Sequence, residues 1–207
     1  MQLCRLLLLV FLLVSACAPP RRVFDTTPIA NLDLSTPMRV SQNPDDDEDP
    51  TIVLARDGQF HVVWSAKQRG WANLVMRSSR DGRTWVDERR ITDGPQEDYY
   101  PSLVQSLDGS FHLAWFRLQR AAGRRDVWYA NSKDGRQWTP PVAITNQGKD
   151  WAPAIYQEAS GALWIVWSSG RTGNRELFAA RSDNGGRNWS AALQITRSPA
   201  PSPCPDL

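Results

Sequence analysis

The chain has 207 residues, and its 24 basic and 22 acidic side chains leave a net charge of only +2. That balance gives no electrostatic reason to bind nucleic acid or an acidic membrane surface. Cys4, Cys17 and Cys204 lie far apart and the two histidines are His61 and His112, so no metal-ligand cluster and no cofactor is expected from the sequence.

The chain opens with a basic residue, Arg5, and an apolar run from Leu6 to Val14. The run is too short to span a bilayer and reads as an export signal covering residues 1–17. It ends in "VSAC", Val14 to Cys17, which resembles the lipobox of bacterial lipoproteins. That resemblance implies that Cys17 is lipidated and becomes the first mature residue. Ala18 follows where an aspartate would retain the protein in the inner membrane, so the resemblance implies an outer-membrane lipoprotein, anchored by acyl chains and not by a spanning helix. With Cys4 removed and Cys17 used, Cys204 stands alone and no internal disulfide is expected. Residues 18–49 read as a proline-rich tether ("APPRR"), a lone strand near 36–41 and the acidic run "PDDDEDP" from Pro44 to Pro50. The acidic run has three open readings: a solvated loop, a calcium site, or part of a binding mouth.

From residue 50 onward the chain repeats itself. "DEDPTIVLARDGQFHVVW", "DYYPSLVQSLDGSFHLAW" and "DWAPAIYQEASGALWIVW" open three units, which close on "WVDERRIT", "WTPPVAIT" and "WSAALQIT". The period is 51 to 53 residues; Pro50, Pro101 and Pro153 correspond, as do Trp64, Trp115 and Trp167. The units cover residues 50–97, 98–149 and 150–199. The first holds four strand candidates, at 51–56, 60–66, 73–79 and 86–92, rich in Val, Ile, Phe and Trp and bounded by turn residues. No stretch shows sustained helical periodicity. Strands such as "FHVVW" are apolar on both faces, which suits a sheet buried on both sides. Repeated four-stranded antiparallel units of this kind are β-propeller blades, so the fold expected is all-β. His61 and His112 occupy the same second-strand slot as Trp164 and read as packing residues.

Each unit carries one short turn: "SRDGRTW", "SKDGRQW" and "SDNGGRNW". Ser and Asp side chains can hold a tight turn through backbone N–H groups, glycine can take φ > 0, and the closing Trp can pin the turn to the blade. The motif resembles the Asp-box, or BNR repeat, of the sialidase superfamily, over roughly residues 36–199. The resemblance assigns structural roles to Ser79, Asp81, Gly82 and Trp85, to Ser132, Asp134, Gly135 and Trp138, and to Ser182, Asn184, Gly186 and Trp189. Boxes one and two lack one residue before the glycine, and Asn184 stands where the aspartate is usual. The box argues fold and not activity.

Three blades do not close a ring of four to eight. The resemblance points to a partial six-bladed propeller, with residues 200–207 as the start of a fourth blade or a tail. A truncated or split gene, two chains closing one ring, and a stable open wedge all remain open. The mouth of an up-and-down propeller gathers the links between blades and the loops between second and third strands. It collects Asp47, Asp98 and Asp150, Tyr99, Tyr100 and Trp151, and the arginines Arg69, Arg120, Arg124, Arg125, Arg171 and Arg175. Arginine forks suit carboxylates and aromatic faces suit sugar rings, so Asp47, Asp98, Asp150, Tyr99, Trp151, Arg69, Arg120, Arg125 and Arg171 are the ligand-binding candidates. The plainer reading is that Asp before Pro caps a turn and loop arginines are solvated. The Arg-Ile-Pro motif of sialidases is absent, and no residue is assigned as catalytic. The expected function is a lipid-anchored envelope protein that binds glycan or protein without catalysis. The alternatives are a piece of an exo-sialidase-like glycoside hydrolase and an envelope scaffold.

Overall fold

The computed structural model describes residues 36–199; the export signal, Cys17, Cys204 and the C-terminal proline-rich stretch lie outside the described residues. Strands β1 (Asp47–Leu54), β2 (Phe60–Gln68), β3 (Trp71–Ser79) and β4 (Arg89–Arg90) form the first sheet. Strands β5 (Glu97–Gln105), β6 (Phe111–Gln119), β7 (Arg124–Ser132) and β8 (Val142–Ala143) form the second, with a single 3-10 turn at Arg120–Ala122. Strands β9 (Asp150–Gln157), β10 (Leu163–Ser169), β11 (Glu176–Ser182) and β12 (Leu193–Gln194) form the third. All three sheets are antiparallel meanders in chain order, which are the three blades expected.

Local chemistry explains where these strands begin and end. The fourth strands pair over only two residues because a threonine then takes over from the ladder. Thr92, Thr145 and Thr196 accept the backbone N–H of Leu74, Val127 and Leu177 through their side-chain oxygens, each at 2.9 Å. That is the role of the recurring "IT". The first strands start earlier than the sequence suggests, at Asp47, Glu97 and Asp150, and absorb the acidic run. A bulge before the proline of each unit makes room for this. It holds Asp49, Tyr100 and Ala152 at φ 55°, 52° and 49°, a left-handed conformation that side chains with a Cβ rarely adopt. The expected lone strand at 36–41 is not formed. It has no ladder partner among the described residues, and instead Val40 and Trp85 offer their carbonyls to the Arg77 guanidinium.

The repeated turn is built one way three times. The Ser79 hydroxyl donates to Asp81 and accepts the Gly82 N–H at 2.9 Å, while Asp81 accepts the N–H groups of Arg83 and Thr84. Ser132 with Asp134 and Ser182 with Asn184 repeat the pattern. The third turn is one residue longer, and both Gly185 and Gly186 take positive φ.

Blades pack face to face. Val63, Leu74 and Met76 of blade one meet Leu103, Leu113 and Trp115 of blade two, with Trp138 at the margin. Ala114, Val127 and Tyr129 of blade two meet Ile155, Ile165, Trp167 and Phe178 of blade three, with Trp189 at the margin. The second-strand Trp115 and Trp167 therefore point toward the preceding blade, and Trp64 lies on the corresponding outward face of blade one. The buried His61 and His112 sit in the opposite face of the same strand, as packing residues bonded to Ser78 and Tyr129. Inner strands are also clipped together: Gln105 and Gln157 accept the N–H groups of Arg56 and Leu107 across the two interfaces. The outward face of blade three remains open, whereas Trp64, Ala66 and Val75 on the outward face of blade one are buried. Leu177 is 40% exposed although its counterpart Leu74 is 0% exposed, and Ile195 is open where Ile91 and Ile144 pack.

Candidate ligand-binding cleft

The mouth aspartates are components of the blades. Asp98 is fully buried and accepts from the Trp115 indole at 2.9 Å and from the Arg117 guanidinium at 2.7 and 2.9 Å. Asp150, equally buried, is gripped by Arg171 at 2.8 and 3.0 Å. Arg117 lies over the Trp128 ring at 4.4 Å, and Arg171 lies over Phe178 at the same distance. Two blades thus build the same carboxylate–guanidinium–ring stack, yet the arginine comes from β6 in one and from the following loop in the other. Asp47 accepts the Trp64 indole at 2.8 Å and stands near Asn43. These contacts correct the expectation for Asp98, Asp150 and Arg171: their charges are spent on one another inside the blade. The desolvation cost of a buried charge is what forces such pairing.

Other candidates are also tied down. Arg120 pairs with the buried Glu97. Arg124 bonds Asp126 and the Asn146 carbonyl. Arg69 sits at positive φ in the β2–β3 turn of blade one, beside Gln68 and Trp71 and away from the aromatic residues of the mouth. The acidic run is no ligand cage: Asp46 and Glu48 close on Lys67, and Asp49 accepts the Tyr100 N–H. No group of three metal-ligating side chains gathers among the described residues, so the calcium reading of this run finds no support.

What remains is a cleft between blades two and three, of about 420 Å³. Tyr100, Phe116 and Trp151 supply aromatic surface, Ala152 a small patch, and Arg125 and Arg175 two guanidinium groups. Tyr100 stacks on Phe116 with centroids 5.7 Å apart. Arg175 lies 4.9 Å from the Trp151 ring centroid. Neither Arg125 nor Arg175 has a carboxylate partner among the described residues. Tyr99 lies behind Tyr100, against the same Phe116 ring. Burial, and then Glu97, hold its hydroxyl above the ordinary 10.0. The bulge explains why the cleft exists: the left-handed turn at Tyr100 lays its ring on Phe116, and the same turn at Ala152 puts a small side chain opposite. Of the sequence candidates, Trp151 and Arg125 line this cleft. Tyr100 and Arg175 were placed on the right face but not singled out. Phe116 was missed, although the repeat marks it: the other blades carry Ser65 and Ser168 at that position.

No family model matches the chain, and no curated protein is similar to it in sequence. Solved structures are similar in fold. A Dyadobacter fermentans protein of unknown function superposes with a TM-score of 0.57 at 18% identity, over 70% of this chain and 53% of that one. A Hadza microbial sialidase gives 0.58 at 16% identity, over 69% and 36%. The Penicillium chrysogenum alpha-L-arabinanase, solved with arabinobiose, gives 0.57 at 16% identity, over 72% and 50%. The chain spans about half the length of these proteins or less. The likeness establishes the fold: three blades of a sialidase-like β-propeller.

Proposed function

We propose that the protein is an exported, lipid-anchored propeller that binds an acidic sugar in the cleft between blades two and three, without catalysing its cleavage. The observation that carries this is the juxtaposition of three aromatic side chains with two guanidinium groups that have no internal carboxylate. Aromatic faces cover the apolar face of a pyranose, and a guanidinium fork matches a carboxylate. The non-catalytic reading rests on the mouth carboxylates. Asp98 and Asp150 are buried in ion pairs, so neither is presented to a glycosidic bond. Outer-membrane anchoring rests on "VSAC" and Ala18 alone. In this reading the three repeated turns are Asp-boxes, which brace the blades on the face opposite the cleft.

Calorimetry with sialyllactose and with neutral lactose tests the binding. The sialylated probe should bind, lactose should bind weakly or not at all, and Arg125→Ala with Arg175→Ala should weaken sialyllactose binding by about tenfold or more. Equal affinity for the two sugars would sink the reading. Cys17→Ser tests the anchor, and should shift the protein from the membrane to the soluble fraction.

A second reading is that the chain is part of a sialidase-like glycoside hydrolase. It is favoured by the similarity to a sialidase of which the chain covers 36%. Turnover of a fluorogenic sialoside by the full gene product would establish it and displace the non-catalytic reading.

A further inference from the structure

On the opposite side of the propeller, beside the repeated turns, blades one and two enclose a second pocket of about 460 Å³. Four cationic side chains line it: Arg56, Arg89, Lys133 and Arg136. Two carboxylates accompany them, so the cations outnumber the carboxylates by two, and both carboxylates accept hydrogen bonds from neighbouring N–H groups. Asp134 accepts the N–H groups of Arg136 and Gln137 within its own turn, at 2.8 and 3.0 Å. Asp57 accepts the backbone and side-chain N–H of Gln59, each at 3.0 Å. Arg56 reaches the Leu107 carbonyl, while Arg89, Lys133 and the Arg136 side chain have no hydrogen-bond or ion-pair partner among the described residues. The buried part of the lining is His61, Met76, Ser78, Phe111 and Gly135.

The repeat supplies an internal control. The interface between blades two and three has the same frame but different contents. Tyr129 stands where Met76 does, and its hydroxyl lies 2.6 Å from His112 Nδ1. It fills the space so closely that a Cβ on Gly186 would fall 1.9 Å from the Tyr129 oxygen, whereas a Cβ on Gly135 would meet the flexible end of Met76 at 3.3 Å and the Phe111 ring at 3.5 Å. Three of the four cations are gone as well: Leu107, Val142 and Asp183 stand in the places of Arg56, Arg89 and Lys133, and only Arg136 keeps its counterpart, Arg187. The first pocket is therefore no consequence of blade geometry. It needs the smaller Met76 and Ser78 and three separate cationic substitutions.

We propose that this pocket is a second binding site, for a sugar-sized ligand carrying a phosphate or carboxylate group, independent of the cleft on the mouth face. The volume suits a monosaccharide, and an excess of cations around a floor of Met76 and Phe111 with the polar His61 and Ser78 suits an oxyanion on a small organic body. The site is distinct from the mouth in residues, face and blade pair.

Calorimetry on the full chain with glucose 6-phosphate, glucuronate and glucose tests this. At least one of the two anions should bind and glucose should not; the tighter anion identifies the head group. The variant Arg89→Val with Lys133→Asp installs the contents of the other interface at two exposed positions, and should weaken binding by about tenfold or more. Arg125→Ala with Arg175→Ala should leave it unchanged, which separates this site from the mouth cleft. If the double exchange lowers the melting temperature, Lys133→Asp alone serves, since Lys133 is exposed and has no hydrogen-bond or ion-pair partner among the described residues. Silence from both anions at millimolar concentration overturns the proposal, as does equal binding of glucose or affinity that survives the exchange.

Discussion

Replacing Asp98 by Ala should be among the most damaging single changes to the fold, and adding Arg117→Met should repair most of the damage. Asp98 is 0% exposed and accepts three hydrogen bonds, one from Trp115 and two from Arg117, whose side chain is itself only 11% exposed. Removing the carboxylate leaves a guanidinium buried without its counter-charge, a change that costs about 3–5 kcal/mol. For a domain of this size that is a fall in melting temperature of roughly 6–20 °C. The orphaned Trp115 indole, as an unsatisfied buried donor, adds about 1–2 kcal/mol, and the Trp128 and Trp167 indoles are already unpaired. Taking away Arg117 as well removes the buried charge, and Met keeps apolar contact with the Trp128 ring. The double variant should then sit within about 1–2 kcal/mol of the parent. Urea titration of parent, both single variants and the double variant closes the cycle. A double variant less stable than Asp98→Ala, or a single-variant cost below about 1 kcal/mol, would show that the buried pair is not what holds this corner.

Glycine at 186 should be far less replaceable than its neighbour. Gly186→Ala drives a Cβ into Tyr129 at φ +82°, whereas Gly185→Ala at φ +68° meets nothing within 4 Å. Thermal melts should show a loss of about 2–4 kcal/mol for the first and about 1 kcal/mol for the second. Leu74→Ala should cost about 2–5 kcal/mol and Leu177→Ala less than about 1, because the first is enclosed between blades and the second lies on an open face. Matching costs would mean that the face of blade three is covered in solution. Stability should also fall with pH below the ordinary histidine value of 6.5. Burial holds both His61 and His112 below that value in the fold. The unfolded chain therefore takes up protons first, and the contribution present above pH 6.5 is lost as pH falls through the folded value. Melts from about pH 7.5 to 5.5 should show this drop, and His112→Gln should reduce it. A flat profile over that window would show that the imidazoles are not held neutral.

Much of this architecture is legible in the residues because a repeat reports its own geometry. The spacing of Pro50, Pro101 and Pro153 and the three turns set out three four-stranded units, and the pairing of β1 to β12 follows them. Local chemistry made this readable: Ser79 and Asp81 act on backbone groups within a few residues, and so do their counterparts. For the site, the residues point to a face of the propeller and not to one cleft on it. Whether an arginine is free depends on which carboxylate its long side chain meets, and for Arg117 and Arg171 that partner lies 19 and 21 residues away on the first strand of the same blade. Arg171 and Asp150 look as available in the sequence as Arg175, yet one pair is buried and the other cation lies over Trp151. The second pocket depends on a subtraction, Met76 where the neighbouring blade has Tyr129, and only packing turns a missing ring into a cavity. Periodicity and turn chemistry thus determined the blades, because those forces act over a few bonds. Tertiary structure decided which charges and spaces are left over for a ligand, because desolvation and packing are settled only when two blades meet.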